Sequence, residues 1–269
     1  VLCPLKDALS IARFGEPIWF RGHTDPKWKL VPAIFRNDIL PKDAHSKRSP
    51  EKWMLMEFIW QAMQRTTDHP MHNRRASWMA LARHRGLPTR LLDWSESILA
   101  AAWFATEPTV GKKRKDSIVW ALNPALMNRV LNGGGPLFVL DDRHPLVKAA
   151  YEAGEYSRQA WAVKGDQVDK RMMMQQAGFT IHGSPKDLAD LCKEAPARFA
   201  MKFIIPAGAR EQLNRTLVTM GVRRSMIYPD LANLSKDLSD EWKRRVAEAN
   251  KAQGKRRPRS AAPPGKRGG

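Results

Sequence analysis

Three observations predict an α+β fold for this chain. Segments of strand character and segments of helix character are mixed without the regular alternation of a doubly wound sheet. Hydrophobic residues make up 43% of the 269, with ten Trp and nine Phe, which is enough to close a core of one large domain or two small ones. No apolar run approaches the roughly 18 residues that a membrane span needs.

The elements follow in chain order. Residues 5–12 have the spacing of a short amphipathic helix, and Pro17 to Arg21 reads as a strand leaving a turn. Leu30 to Arg36 is expected to be extended and then to break, and 37–50, polar and punctuated by prolines, reads as a loop. Glu51 to Arg65 carries Trp53, Met54, Leu55, Met56, Phe58, Ile59, Trp60 and Met63, an apolar surface nearly all round, so this helix is expected to be buried on more than one face. A second helix covers Arg75 to Arg85, with Gly86 as its stop. An Ala-rich helix follows at Ile98 to Thr106. Ser117 to Leu122 and Arg198 to Ile205 are β-branched and apolar enough for strands, while Asn132 to Gly135 reads as a turn before a strand-like Leu137 to Leu140. Glu211 to Met220 is helical with Gly221 as its cap, and Ser225 to Tyr228 reads as a last strand. Beyond Lys236 comes a charged helix. From Gln253 a Lys/Arg/Pro/Gly tail has nothing to bury and is expected to be disordered. The organisation read from this is a domain over 1–240 and a basic tail over 241–269.

The formal net charge is +19, and residues 243–269 hold ten basic residues against one acidic, so the remainder still carries +10. That balance points to polyanionic partners, nucleic acid or phosphorylated ligands, with plain solubility as the bland alternative. Cys3 and Cys192 are far apart and have no metal-ligand spacing, which argues against a disulfide framework and a structural zinc and fits a reducing cytoplasm. His69, His72 and His84 lack zinc-protease spacing, and neither a Gly-x-Ser-x-Gly turn nor a Gly-rich phosphate loop occurs. No metal is expected.

Three polar constellations remain. In Phe20-Arg21-Gly22-His23 an always-charged guanidinium ends an apolar strand and must find an anion or a buried acceptor; an internal carboxylate would also satisfy it. The string His84-Arg85-Gly86-Leu87-Pro88-Thr89-Arg90-Leu91-Leu92-Asp93-Trp94-Ser95 sets ionisable groups among Leu and Trp, which is costly unless they are paired. Arg90 with Asp93 as a buried structural pair is the alternative to a site there. Gln175-Gln176-Ala177-Gly178-Phe179-Thr180-Ile181-His182 places amides before a strand, where one can grip a sugar hydroxyl or simply face solvent. Trp28 and Trp94, beside these motifs, are the aromatic residues to consider as stacking surfaces for a base.

In this order the constellations resemble the FRG domain family, named for the triplet found here as Phe20-Arg21-Gly22. The likeness extends through Trp28-Lys29-Leu30-Val31-Pro32, Arg36, Glu57-Phe58, the string from His84 to Ser95, Ala102-Trp103-Phe104-Ala105, Gln175 to Phe179, Phe203-Ile204-Ile205-Pro206 and Tyr228-Pro229-Asp230. Arg83 stands where the family usually has Gln, and Ala177 where it usually has Gly. The layout is also similar to ADP-ribosyltransferases of the arginine, serine, glutamate type, which implies a split β core with several packed helices. By position, Arg21, the Asp93 to Ser95 segment and Gln175 would take the three site roles. Gln175 stands where glutamate is usual, and an amide cannot act as a base.

The resemblance therefore implies an NAD-dependent mono-ADP-ribosyltransferase with Arg21, Asp93 and Gln175 catalytic. Arg21, Gly22, His23, His84, Thr89 and Ser95 would bind NAD, the substrate. Trp28, Lys255, Arg256 and Arg257 would contact nucleic acid, RNA before DNA. It further implies a cytoplasmic toxin of an antiphage or toxin-antitoxin module, with an antitoxin or chaperone as partner and no membrane. The alternatives are a noncatalytic nucleic-acid-binding module and an NAD glycohydrolase.

Overall fold

The computed structural model describes residues 15–36, 49–107, 115–134, 137–152 and 160–256. It divides into two compact units, Val1–Val222 and Arg223–Gly269. No described helix is long and apolar enough to cross a membrane.

In the first unit the described elements run β1 (Trp19–His23), a 3-10 turn (Ala33–Phe35), α1 (Pro50–Ala62), α2 (Arg75–His84), β2 (Leu91–Ser95), α3 (Ile98–Thr106), β3 (Ser117–Leu122), α4 (Pro124–Asn132), β4 (Phe138–Val139), α5 (Pro145–Glu152), β5 (Ala160–Lys164), α6 (Lys170–Met174), β6 (Ala177–His182), α7 (Leu188–Glu194), β7 (Ala200–Ile205) and α8 (Arg210–Thr219). The seven strands form one sheet in the order β4-β5-β6-β2-β1-β3-β7, antiparallel except for the edge pair β4/β5. The architecture is α+β.

Pairing is not uniform across that sheet. β2 and β6 match from Leu91 opposite Ile181 to Ser95 opposite Ala177, and β1 and β3 match along all of β1. At the centre, β1 and β2 pair only where Phe20 lies opposite Ser95. The sheet is thus two well-laddered halves joined at one point, and beyond that point backbone groups of β1 and β2 need other partners.

Period-two alternation divides the core. Leu91, Phe179 and Ile181 pack with Leu55, Trp78 and Met79 from α1 and α2. Leu92, Trp94 and Trp19 pack with Leu30, Met127 and Phe199. A smaller cluster joins Phe20 and Val119 to Ala101 and Ala105 of α3. Here Gly22 is required by contact: a Cβ on it would lie 2.0 Å from the Ala101 carbonyl oxygen and 2.6 Å from the Ala105 nitrogen. The glycine after the arginine serves to seat α3 on β1.

Several expectations are corrected. α1 buries only Glu51, Leu55 and Ile59, one i, i+4, i+8 stripe, and leaves Trp53 and Trp60 about two-thirds exposed. Apolar composition alone does not fix how many faces a helix covers. Part of the segment read as extended closes into the 3-10 turn over Ala33–Phe35, after the fixed φ of Pro32. α4 has a proline in its first turn, an Asn123 side chain accepting from the Leu126 amide, and Gly133 left-handed at its end, so the expected turn is a helix cap. Residues 5–12, most of the 37–50 loop and the tail from 257 lie outside the described residues.

The second unit holds α9 (Arg224–Ile227) and α10 (Leu231–Arg256). The expected last strand at Ser225 to Tyr228 is therefore helical: the Ser225 amide donates to Asp237 and Arg223 pairs with Glu241, which ties a short turn to α10. The helix also continues to Arg256, past the point where the tail was expected to lose order.

Candidate active site

β1, β2 and β6 bring the three constellations side by side in the sheet. Around the single joint between β1 and β2 lies a cavity of about 250 Å³, lined by residues from all three, among them Arg21, Gly22, His84, Asp93, Ser95 and Gln175.

Arg21 occupies the parting of the strands. Its Nη1 donates to the backbone carbonyl of Asp93 at 2.5 Å, supplying the partner that the missing ladder does not, and its Nε donates to His23 Nε2 at 3.0 Å. These bonds leave Nη2 over. Burial, with Arg83 and Arg36 nearby, lowers the guanidinium pKa to about 10 against the opposing pull of Asp93. Arginine normally stays far above that range, so the site holds a cation short of anionic compensation.

Asp93 sits between two guanidinia. Its Oδ2 accepts from Arg83 Nε at 2.7 Å, lies 2.6 Å from Arg83 Nη2, and is 3.8 Å from Arg21 Nη1. Its Oδ1 is buried with no hydrogen-bond partner. Burial alone would raise the carboxyl, but Arg83 and Arg21 outweigh it and hold the pKa below the ordinary carboxylate value. It is an anion and a poor base.

His84, at the C-terminal end of α2, is 5% exposed, and its Nε2 likewise has no partner. Burial brings its pKa down to about 4 despite Asp93, so the imidazole is neutral at physiological pH. Gly86 then ends α2 with φ +97°, which sends the chain into β2. Ser95 Oγ donates to the Gln175 carbonyl at 2.7 Å and accepts from the Ser97 amide at 3.0 Å. It fixes the buried Gln175, which ends α6, at the cavity wall.

Two residues expected to contact NAD, His23 and Thr89, lie off that wall. His23 is buried and acts as the acceptor for Arg21, which its neutrality permits, since burial and Arg21 bring its pKa to about 3. Thr89 is fully buried, and its hydroxyl accepts from the Leu91 amide at the start of β2. Arg90 pairs with Glu51 of α1 and not with Asp93: Glu51 accepts from the Arg90 amide, Nε and Nη2 at 2.8, 2.9 and 2.8 Å. Trp28 is 54% exposed, its ring edge-on to His23 at 5.8 Å. Lys255 and Arg256 end α10 in the second unit, and Arg257 lies outside the described residues.

Arg83, Phe104 and Arg171 also line the cavity, and the sequence did not point to them as site residues. Arg83 and Asp93 are ten residues apart across a helix end and a turn, and no local spacing joins them. A chain of Trp94 Nε1, Thr180 Oγ1 and His182 Nε2, at 3.1 and 2.9 Å, was missed for the same reason. No described group of His, Cys, Asp and Glu is placed to hold a metal.

The FRG domain family model matches residues 16–114. That span includes Arg21, Arg83, His84, Asp93 and Ser95 and stops short of Gln175. No curated protein and no solved structure matches the chain.

Proposed function

Residues 16–114 match the FRG domain family, and from that premise we propose that the chain is an NAD-dependent mono-ADP-ribosyltransferase that modifies nucleic acid, RNA in preference to DNA. The observation that carries the reading is the meeting of Arg21, Asp93 and Gln175, from three distant segments, around one cavity.

The residues fit the substrate's chemistry. Two guanidinia, Arg21 and Arg83, face one carboxylate, a surplus of positive charge that a diphosphate would neutralise. A cavity of about 250 Å³ is smaller than the roughly 300–1,000 Å³ of drug-sized sites, so it suits the nicotinamide-ribose end with the adenosine outside. Breaking the glycosidic bond builds positive charge on the ribose. Asp93, kept ionised by its neighbours, stabilises that charge electrostatically and does not take the acceptor's proton. Gln175 orients a ribose hydroxyl. Without a strong base the reaction must run through a loose, cationic transition state, and an acceptor nucleophilic without prior deprotonation, such as a base nitrogen, suits it. The basic surface draws such an acceptor, and the FRG resemblance supports a toxin of an antiphage or toxin-antitoxin module, acting in the cytoplasm and restrained by a partner protein.

Labelled NAD incubated with RNA, DNA or lysate tests this. Transfer by the intact chain that Arg21→Ala abolishes supports it; no transfer and no nicotinamide release under any condition overturns it. Free ADP-ribose without an acceptor would mark a glycohydrolase. The internal bonds of Arg21 favour a second reading, a noncatalytic nucleic-acid binder, in which Arg21→Ala lowers the melting temperature and no NAD is consumed.

A further inference from the structure

Within the second unit, α10 has one side engaged by α9 and another left exposed. Asp237 accepts from the Ser225 amide and Glu241 pairs with Arg223, so α9 lies along the side that carries positions 237 and 241. Leu231, Leu234, Leu238, Trp242 and Val246 follow one another at spacings of three and then four residues on a different side. They are between 42% and 81% exposed. Soluble surfaces scatter apolar residues singly, and a continuous row of four aliphatic side chains and a tryptophan marks an interaction face. A helix of 26 residues spans about 39 Å, which gives the row the length to seat another helix.

Charge along α10 narrows the choice of partner. Leu231 to Trp242 holds Lys236 against Asp237, Asp240 and Glu241, a net of −2, and residues 243–250 hold Lys243, Arg244 and Arg245 against Glu248, a net of +2. From this match we propose that the apolar row of α10 pairs with the same row of a second copy of the chain, the two helices antiparallel. Laid that way, the acidic half of each helix meets the basic half of the other, and the two-fold axis makes that match twice. Parallel pairing would set like charge on like. With the axis at Trp242, where the acidic half gives way to the basic one, Trp242 meets its own copy as the central anchor and Leu238 lies level with Val246. The chain as a whole carries +19, which opposes the approach of a second copy, so the local match and the apolar row together must offset it. A self-complementary contact of this kind closes at two copies.

Sedimentation velocity of the full chain over a range of micromolar concentrations tests this, and NAD turnover plays no part in the readout. The unaltered chain should pass reversibly from the monomer to twice its mass and no further. Trp242→Gln and Leu238→Gln remove apolar surface and keep a good helix former, so each should weaken the dimer at least about tenfold. Both side chains are exposed in the single chain, and the far-ultraviolet circular dichroism and the melting midpoint of the monomer should stay where they were. Lys243→Glu together with Arg244→Glu reads the orientation. It turns the basic half acidic, which sets like charge on like in the antiparallel pair, and should weaken the dimer about tenfold even though it lowers the net charge of the chain. An unchanged or tighter dimer in that variant would mean parallel pairing and overturn the orientation. A dimer that survives the Leu238 and Trp242 substitutions at full strength forms through another face and overturns the inference. So does a chain that stays monomeric at every concentration, whether or not α10 then binds phosphatidylserine vesicles, the other surface open to a helix with an apolar row and a basic end.

Discussion

Two arginine-carboxylate clusters stand within three residues of each other on either side of the start of β2, and they are built differently. Glu51 and Arg90 are one anion and one cation, both side chains 3% exposed or less, with both carboxylate oxygens engaged by the Arg90 amide and guanidinium. Asp93 faces two guanidinia, has one oxygen loaded and the other empty, and borders a cavity with 27% of its side chain exposed. Matched charge closes the fold: both Glu51 oxygens are engaged, the pair joins α1 to β2, and the one unpaired atom, Arg90 Nη1, is sealed in the interior away from the cavity. Mismatched charge at a cavity leaves a net cation and an unpaired acceptor, the condition in which a ligand lowers the free energy of the site.

The largest effect should come from the closed cluster. Glu51→Ala would strand a buried guanidinium and cost about 3–5 kcal/mol in a urea titration. Asp93→Ala should cost distinctly less, because Arg21 and Arg83 are 15–17% exposed and can turn to water in the cavity. Equal losses from the two would erase the contrast. The open cluster should instead dominate activity. Arg21→Ala removes a cation that neutralises the diphosphate and holds the ribose in place, and should lower NAD turnover on the order of 10²-fold. A melting temperature that falls while turnover is unchanged would make Arg21 as structural as Arg90.

How far this contrast was legible beforehand depends on the range of the interactions. Ile98–Thr106 and Ser117–Leu122 read directly from composition, since an alanine-rich helix and a β-branched strand are set by local preference, and both match the structure residue for residue. Arg21, Asp93 and Gln175 stood out because a charge or amide beside apolar residues needs a partner whatever the fold, and all three reach the cavity. The partner's identity was not legible. Arg90 is three residues from Asp93 yet pairs with Glu51, 39 residues upstream, while Asp93 takes Arg83 from across a helix end. Ion pairing is settled by how α1 and α2 pack on β2, and no spacing within one segment records that. The same holds for α1, whose two exposed tryptophans look like core until the single buried stripe is seen.

Acid should separate the clusters further. Three buried histidines have lowered pKa values, His84 to about 4 and His23 and His182 to about 3, with burial the leading cause in each. Below the unfolded value of about 6.5 the unfolded chain binds protons that the folded chain refuses. Stability is therefore complete above that pH and is lost as pH falls from 6.5 toward 4, each histidine adding a slope of up to about 1.4 kcal/mol per pH unit. The lowered carboxyl of Asp93 acts in the same direction at lower pH. Since His23 accepts from Arg21 and His84 borders Asp93, the open cluster should loosen first. His84→Gln should flatten the slope of stability against pH in that window. An unchanged slope would mean that the imidazole is not the group being titrated.

The smallest effect probes the surplus charge itself. Arg83→Gln keeps an N–H for Asp93 Oδ2 and removes one of the two cations around it. A structural role asks only for that hydrogen bond, so stability should stay within about 1 kcal/mol of the unaltered chain. A role in holding the diphosphate asks for the charge, because a bond to an ionised group is about twice as strong as a neutral one. The expected outcome is a KM for NAD raised up to about tenfold, roughly 1.4 kcal/mol, with kcat little changed, the pattern of binding lost equally from ground and transition states. A fall in kcat at constant KM would instead place Arg83 with the reacting atoms. Unchanged kinetics would mean that one guanidinium beside Asp93 suffices, and the two clusters would then differ in their exposure and no longer in their charge.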